Sequence, residues 1–90
     1  MKLNIYSIFD TVAEVFNKPF TDINNATAIR SFTQSVLDQP HKNDYVLYNM
    51  GEFDDNSGHI QPNKTPTKIL SGFDVKNENQ EIPEMLKQQA

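Results

Sequence analysis

Few side chains in this chain have the type and spacing to do covalent chemistry. His41 and His59 are the only histidines. They form no His-X-His pair of the kind a metal-dependent rolling-circle nuclease uses to hold its cation. Both have polar flanks and read as exposed loop residues. There is no cysteine, which excludes thiol nucleophiles, disulfides and cysteine-ligated zinc. Asp54-Asp55-Asn56-Ser57-Gly58 has the acidity of a calcium loop, but such a loop needs oxygens at alternate positions and a bidentate Glu at the twelfth. Counted from Asp54, the fifth residue is Gly58 and the twelfth is Thr65. The segment is better explained as a turn. Three glycines leave no phosphate loop or dinucleotide fingerprint. The sequence therefore predicts no catalytic residue, no metal site, no cofactor and no enzymatic activity.

Non-covalent recognition is better provided for. The aromatics are Tyr6, Phe9, Phe16, Phe20, Phe32, Tyr45, Tyr48, Phe53 and Phe73. Proteins that hold single strands stack bases on sheet-borne aromatics beside a basic groove, at ~1–3 kcal/mol per base. Tyr6 and Tyr48 are the candidates for stacking. Arg30, Lys2 and Lys18 are the candidates for phosphate contacts. The plainer alternative is that the aromatics fill a small core and a dimer interface, and that Arg30 pairs with Asp44, Glu14 or Asp22.

Charge argues against polyanion binding at first sight. The net charge is −4, whereas phosphate contacts from Lys and Arg supply most non-specific affinity. Residues 1–43 balance to zero. Asp44, Glu52, Asp54 and Asp55 concentrate a local −4, Lys64 and Lys68 follow alone, and residues 74–90 sum to −2. A basic surface requires Lys2, Lys18 and Arg30 to converge with Lys64 and Lys68.

The elements that must position these residues are legible from periodicity. Leu3 to Phe9 alternates with a period of two and reads as a strand with apolar residues on both faces. If Leu3, Ile5 and Phe9 face a helix, Tyr6 and Ile8 fall on the open face. After Asp10-Thr11, Val12 to Phe16 reads as a second, antiparallel strand, ended at Asn17-Lys18-Pro19. Asn24 or Asn25 is a helix N-cap, and Ala26, Ile29, Phe32, Val36 and Leu37 make the apolar face of an amphipathic helix that stops before Pro40. Asp44 to Met50 reads as a third strand, Gly51 as a bulge, and Asp55 to Gly58 as a hairpin turn with positive φ at Gly58. His59 to Gln61 returns as a short fourth strand. Pro62 to Thr67 reads as a loop, and Lys68 to Leu70 as a fifth strand or edge segment. The predicted fold class is α+β: a small, mostly antiparallel sheet packed on one helix. Residues 1–75 form the single domain and 76–90 a polar tail, with a short helix at 83–88 opened by Pro83. No stretch is apolar over the length that spans a bilayer, and the amino terminus lacks the apolar core of a signal peptide.

Two blocks, their order and their spacing resemble a known family. One is Asp44 to Gly58. The other runs from Lys18-Pro19-Phe20 through Asn25-Ala26 to Ala28-Ile29-Arg30-Ser31-Phe32. The opening strand and Thr65-Pro66-Thr67-Lys68-Ile69-Leu70-Ser71-Gly72-Phe73-Asp74 extend the likeness over about residues 2–75. The pattern is similar to the small nonstructural protein of gokushovirus-type microviruses, phages with small circular single-stranded DNA genomes. Arg30 falls on the arginine of that family's Arg-X-Phe helix segment. The resemblance implies DNA binding in genome replication, residence in the host bacterial cytoplasm and absence from the mature virion.

Two functions follow. The first is a single-stranded DNA binder acting during replication, as a homodimer. The second is a protein–protein adaptor that contacts the phage replication initiator, the capsid precursor or a host factor. The acidic stretch Asp44 to Asp55 and the negative tail favour the second; within that tail, Ile82 to Leu86 reads either as a docking peptide or as a frayed terminus.

Overall fold

The computed structural model describes residues 1–75; the tail at 76–90, with its expected short helix and docking peptide, lies outside them. The chain forms β1 (Lys2–Asp10), β2 (Val15–Phe16), β3 (Phe20–Asp22), α1 (Asn25–Val36), β4 (Tyr45–Asp54) and β5 (Ile60–Ser71), with single 3-10 turns at Lys42–Asp44 and Gly72–Asp74. All five strands join one antiparallel sheet in the order β2-β1-β4-β5. β3 also pairs with β1, so it shares with β2 the edge of β1 that faces away from β4. The fold class is the one read from the sequence: one helix on a mostly antiparallel sheet.

The helix begins at a capping box. Asn24 Oδ1 accepts from the Thr27 amide at 2.9 Å, and Thr27 Oγ1 accepts from the Asn24 amide at 3.3 Å, so two first-turn donors are satisfied reciprocally. Ala28, Phe32 and Val36, four residues apart, bury one face of α1 against Tyr6 and Leu47 of the sheet, with Val75 closing one side. Lys42 ties down this closing segment. Its Nζ donates to the carbonyls of Gly72 at 3.1 Å and Val75 at 2.8 Å. Gly72 is obligatory for a different reason: a Cβ there would collide with the Lys42 carbonyl.

Three local expectations are corrected. The second strand is not Val12 to Phe16 but only Val15–Phe16. Asp10 Oδ1 accepts from the amides of Val12 (2.9 Å) and Ala13 (3.1 Å), and Glu14 takes φ +62°, so Thr11 to Glu14 is consumed in the turn. Pairing does not end at Pro19, because Phe20–Asp22 resumes it against β1 as an additional strand. Pro62 to Thr67 is not a loop. It belongs to β5, which merges the expected fourth and fifth strands into twelve residues. β5 is an edge strand and needs donors on one side only, so prolines are tolerated. The pairing steps from Asn49↔Thr67 to Gly51↔Pro62, and residues 63–66 bow out between them.

Candidate nucleic-acid interface

Side chains of paired strands share a face, so the register assigns every strand residue to the helix side or the open side. Between Ile5 and Tyr6 the β1–β4 register slips by one residue: Ile5 pairs with Gly51, whereas Tyr6 pairs with Asn49. Met50 is the extra residue of the bulge. Gly51 takes φ +150°, and the bulge lets both halves of β4 keep their apolar residues in phase with β1. The helix side then carries Tyr6 and Ile8 with Leu47 and Tyr45. The open side carries Leu3, Ile5, Ser7 and Phe9 with Phe53, Tyr48 and Val46.

On the open side three rings meet. Phe9 and Phe16 are cross-strand partners with centroids 4.7 Å apart. Tyr48 packs edge-on against both, at 6.2 Å from Phe9 and 5.5 Å from Phe16, with interplanar angles of 89° and 70°. Edge-to-face packing of this kind holds rings in fixed orientations. Phe16 remains 42% exposed. Lys68 of β5 stands directly opposite Tyr48. Lys64 lies further along the same edge strand, in the segment that bows out.

Acidic side chains are sorted to the other face. Among the described strands, Asp10 pairs with Tyr45, Asp22 and Glu52 pair with Asn4, and Asp54 pairs with Lys2. All four therefore sit on the helix side. Asp55, at the hairpin tip, is held by the amino-terminal ammonium of Met1 at 2.6 Å. Asp54 is stabilised as the carboxylate, held below the usual range chiefly by the backbone amide of Asn56. The net charge of the chain thus says little about the open face, which has Lys68 and no acidic strand residue.

The predicted site residues are dispersed. Tyr48 is on the open face, at the centre of the ring cluster. Tyr6 is not: the expectation that it falls on the open face is corrected, because α1 packs its Ala28–Phe32–Val36 face on the side of β1 that carries Tyr6 and Ile8, and Tyr6 is fully buried there. Its ring stacks on Phe20 with centroids 5.7 Å apart, and its hydroxyl donates to Asn25 Oδ1. Burial pushes the Tyr6 pKa up from its ordinary 10.0, with Asn4 and Asn49 opposing and Asp22 adding to the rise. Arg30 is exposed on α1, on the opposite side of the sheet from Tyr48. It forms no ion pair among the described residues, so the expected bridge to Asp44, Glu14 or Asp22 is not made. Lys2 lies on the helix side among Glu52, Asp54 and His59, beyond the helix. Lys18 is exposed in the link between β2 and β3, at the β1 edge.

Phe9 and Phe16 are the residues that sequence reasoning did not single out, and Lys68 it named only as part of a basic surface with Lys2, Lys18, Arg30 and Lys64. Phe9 and Phe16 were readable in principle, since they flank a short reversal symmetrically enough to be cross-strand partners. Lys68 was expected at the start of a short edge strand, but its place opposite Tyr48 follows only from the register of β4 with β5.

A family model described as Phage ORF5 protein matches residues 3–75. No curated protein and no solved structure matches.

Proposed function

This chain belongs to the phage ORF5 protein family, and from that premise we propose that it is a nonstructural phage protein that binds single-stranded DNA during genome replication. One observation carries the reading: an aromatic cluster of Phe9, Phe16 and Tyr48 lies beside Lys68 on a sheet face that, among the described residues, holds no acidic strand residue. Exposed Phe16 and half-buried Tyr48 offer ring surfaces for bases, each stacking contact being worth ~1–3 kcal/mol. Lys68 is placed to meet the phosphate that follows. Lys64 extends the contact along the edge strand, and Lys18 serves from the β1 edge. Tyr6 and Arg30 have no part in this face. Nothing in the proposed action is enzymatic. By coating nascent strands the protein favours single-strand genome synthesis over duplex replication. The resemblance to the nonstructural proteins of gokushovirus-type microviruses supports this assignment, together with action in the host cytoplasm and absence from the virion.

So few lysines imply micromolar affinity per protomer and a shallow salt dependence, because the slope follows the number of phosphates neutralised. A homodimer makes binding useful by presenting two faces to one strand. The test is fluorescence anisotropy with a labelled single-stranded oligonucleotide at two salt concentrations, alongside duplex of the same sequence. Salt-sensitive binding that favours the single strand is expected. No binding at tens of micromolar protein overturns the proposal.

The second reading, an adaptor for the replication initiator, capsid precursor or a host factor, draws on the opposite face. There Lys2, Glu52, Asp54 and His59 line an open polar depression near the hairpin tip. Under that reading a phage or host protein, and not the oligonucleotide, is retained by the purified chain.

A further inference from the structure

We infer that the open face holds a second base contact, an apolar hollow formed by Ile5, Phe53 and Ile60 with Pro19, Phe20 and Thr21, which seats a nucleobase of the same single strand that stacks on the Phe9–Phe16–Tyr48 cluster. The inference rests on the proposed DNA-binding reading and extends its contact surface. The hollow encloses about 230 Å³. Its lining carries no charged group, and Ile60 on its rim is 57% exposed. Ile5, Phe53 and Ile60 are on the open side by register: Phe53 pairs with Leu3 and with Ile60, and Ile5 lies four residues before Phe9 on the same strand. At a strand rise of about 3.4 Å per residue, the hollow and the ring cluster are about 14 Å apart along β1, a separation of a few nucleotides.

What identifies the occupant is the charge between the two apolar sites. Along β5 the order is Ile60 at the hollow, then Lys64, then Lys68 opposite Tyr48. No acidic strand residue interrupts this path on the open face. Two apolar seats, with Lys68 beside one of them and Lys64 on the strand between, suit a chain of flat rings joined by anions. A purely apolar partner would leave Lys64 and Lys68 without compensation, and a single bound nucleotide would leave one seat empty.

The experiment uses the full chain, labelled oligothymidylates of about four and about twelve nucleotides, within the range of site sizes single-strand binders show, and the variant Ile60→Ser. Ile60 is exposed, and binding of the short oligomer reports an intact ring cluster. The wild type is expected to bind the longer oligomer more tightly. Ile60→Ser is expected to weaken the longer one by about fivefold or more, the lower bound for losing a base contact, and to leave the shorter one unchanged. Equal affinity of the variant for the longer oligomer overturns the inference, as does an equal loss on both lengths. A loss that sedimentation traces to a dimer falling apart also overturns it, by assigning the hollow to a second copy. If the wild type binds neither oligomer, the DNA-binding proposal itself fails and this contact fails with it. If it binds both while Ile60→Ser changes nothing, only the second contact fails.

Discussion

The Tyr6 hydroxyl donates a 2.6 Å hydrogen bond to Asn25 Oδ1, joining the middle of β1 to the first residue of α1. The ring below it is fully buried against the helix and stacks on Phe20 of β3. One side chain thus connects three elements. This is why the most conspicuous tyrosine of the first strand is a structural residue and is not presented to a ligand.

Tyr6→Phe removes the bond and keeps the ring. The expected loss is about 1 kcal/mol, the net value of an ordinary hydrogen bond, which lowers Tm by about 4–8 °C in a domain of this size. Oligonucleotide affinity is expected to be unchanged. Tyr6→Ala leaves a cavity as well and is expected to cost about 3–5 kcal/mol. Thermal denaturation and anisotropy on the same samples check both parts. A Tyr6→Phe protein of unaltered Tm that binds DNA poorly contradicts the structural assignment.

The same hydroxyl sets an alkaline limit to stability. Its pKa is raised in the fold above the ordinary 10.0. Between those two values the unfolded chain has lost the Tyr6 proton and the folded one keeps it, so stability falls as pH rises. The contribution is fully present below pH 10.0. Urea denaturation at successive pH values is expected to show a declining alkaline limb that is shallower in Tyr6→Phe.

Phe16 and Arg30 are both exposed but lie on opposite sides of the sheet. Phe16→Ala is expected to weaken single-strand binding by about 1–3 kcal/mol, roughly five- to 150-fold, while Arg30→Ala changes it by less than twofold. Lys68→Gln is expected to lower the salt slope by about 1 and to weaken all sequences alike. Arg30→Ala proving the most damaging of the three rules out the open face as the interface.

Gly51 and Gly58 both have positive φ, +150° and +78°, yet only one is crowded. A Cβ on Gly51 runs into the Gln61 carbonyl and comes within 2.8 Å of the Pro62 Cα, whereas Gly58 has nothing within 4 Å. Gly51→Ala is expected to cost more than about 3 kcal/mol, the upper end for a strained backbone alone. Gly58→Ala should cost about 1–2 kcal/mol, the left-handed penalty alone. Chemical denaturation of the two variants gives the comparison directly.

Local patterning determined much of this protein by itself. The three- and four-residue spacing of Ala26, Ile29, Phe32, Val36 and Leu37 specifies the helix, although Ala26 proves exposed and Ala28 takes its place in the core. Asn24 specifies its start, because a side-chain oxygen at that position can satisfy the first-turn amides whatever lies elsewhere in the chain. Gly51 and Gly58 announce a bulge and a turn for the same local reason. The lack of cysteine removes thiol and disulfide chemistry before any fold is known. Tertiary structure alone decided which way β1 faces. Leu3 to Phe9 is apolar on both faces, so period two leaves two phases of nearly equal merit. The choice is made by packing: α1 covers the face of β1 that carries Tyr6 and Ile8, which turns Tyr6 inward and Phe9 outward, and the Met50–Gly51 bulge re-phases β4 to match. The prolines of β5 misled for a related reason. Their missing donors disfavour a strand only where both edges must pair, and whether an edge is free is a property of the assembled sheet. The sorting of the strand carboxylates onto the helix side is likewise invisible along the chain. It exists only when the strands align their alternate residues.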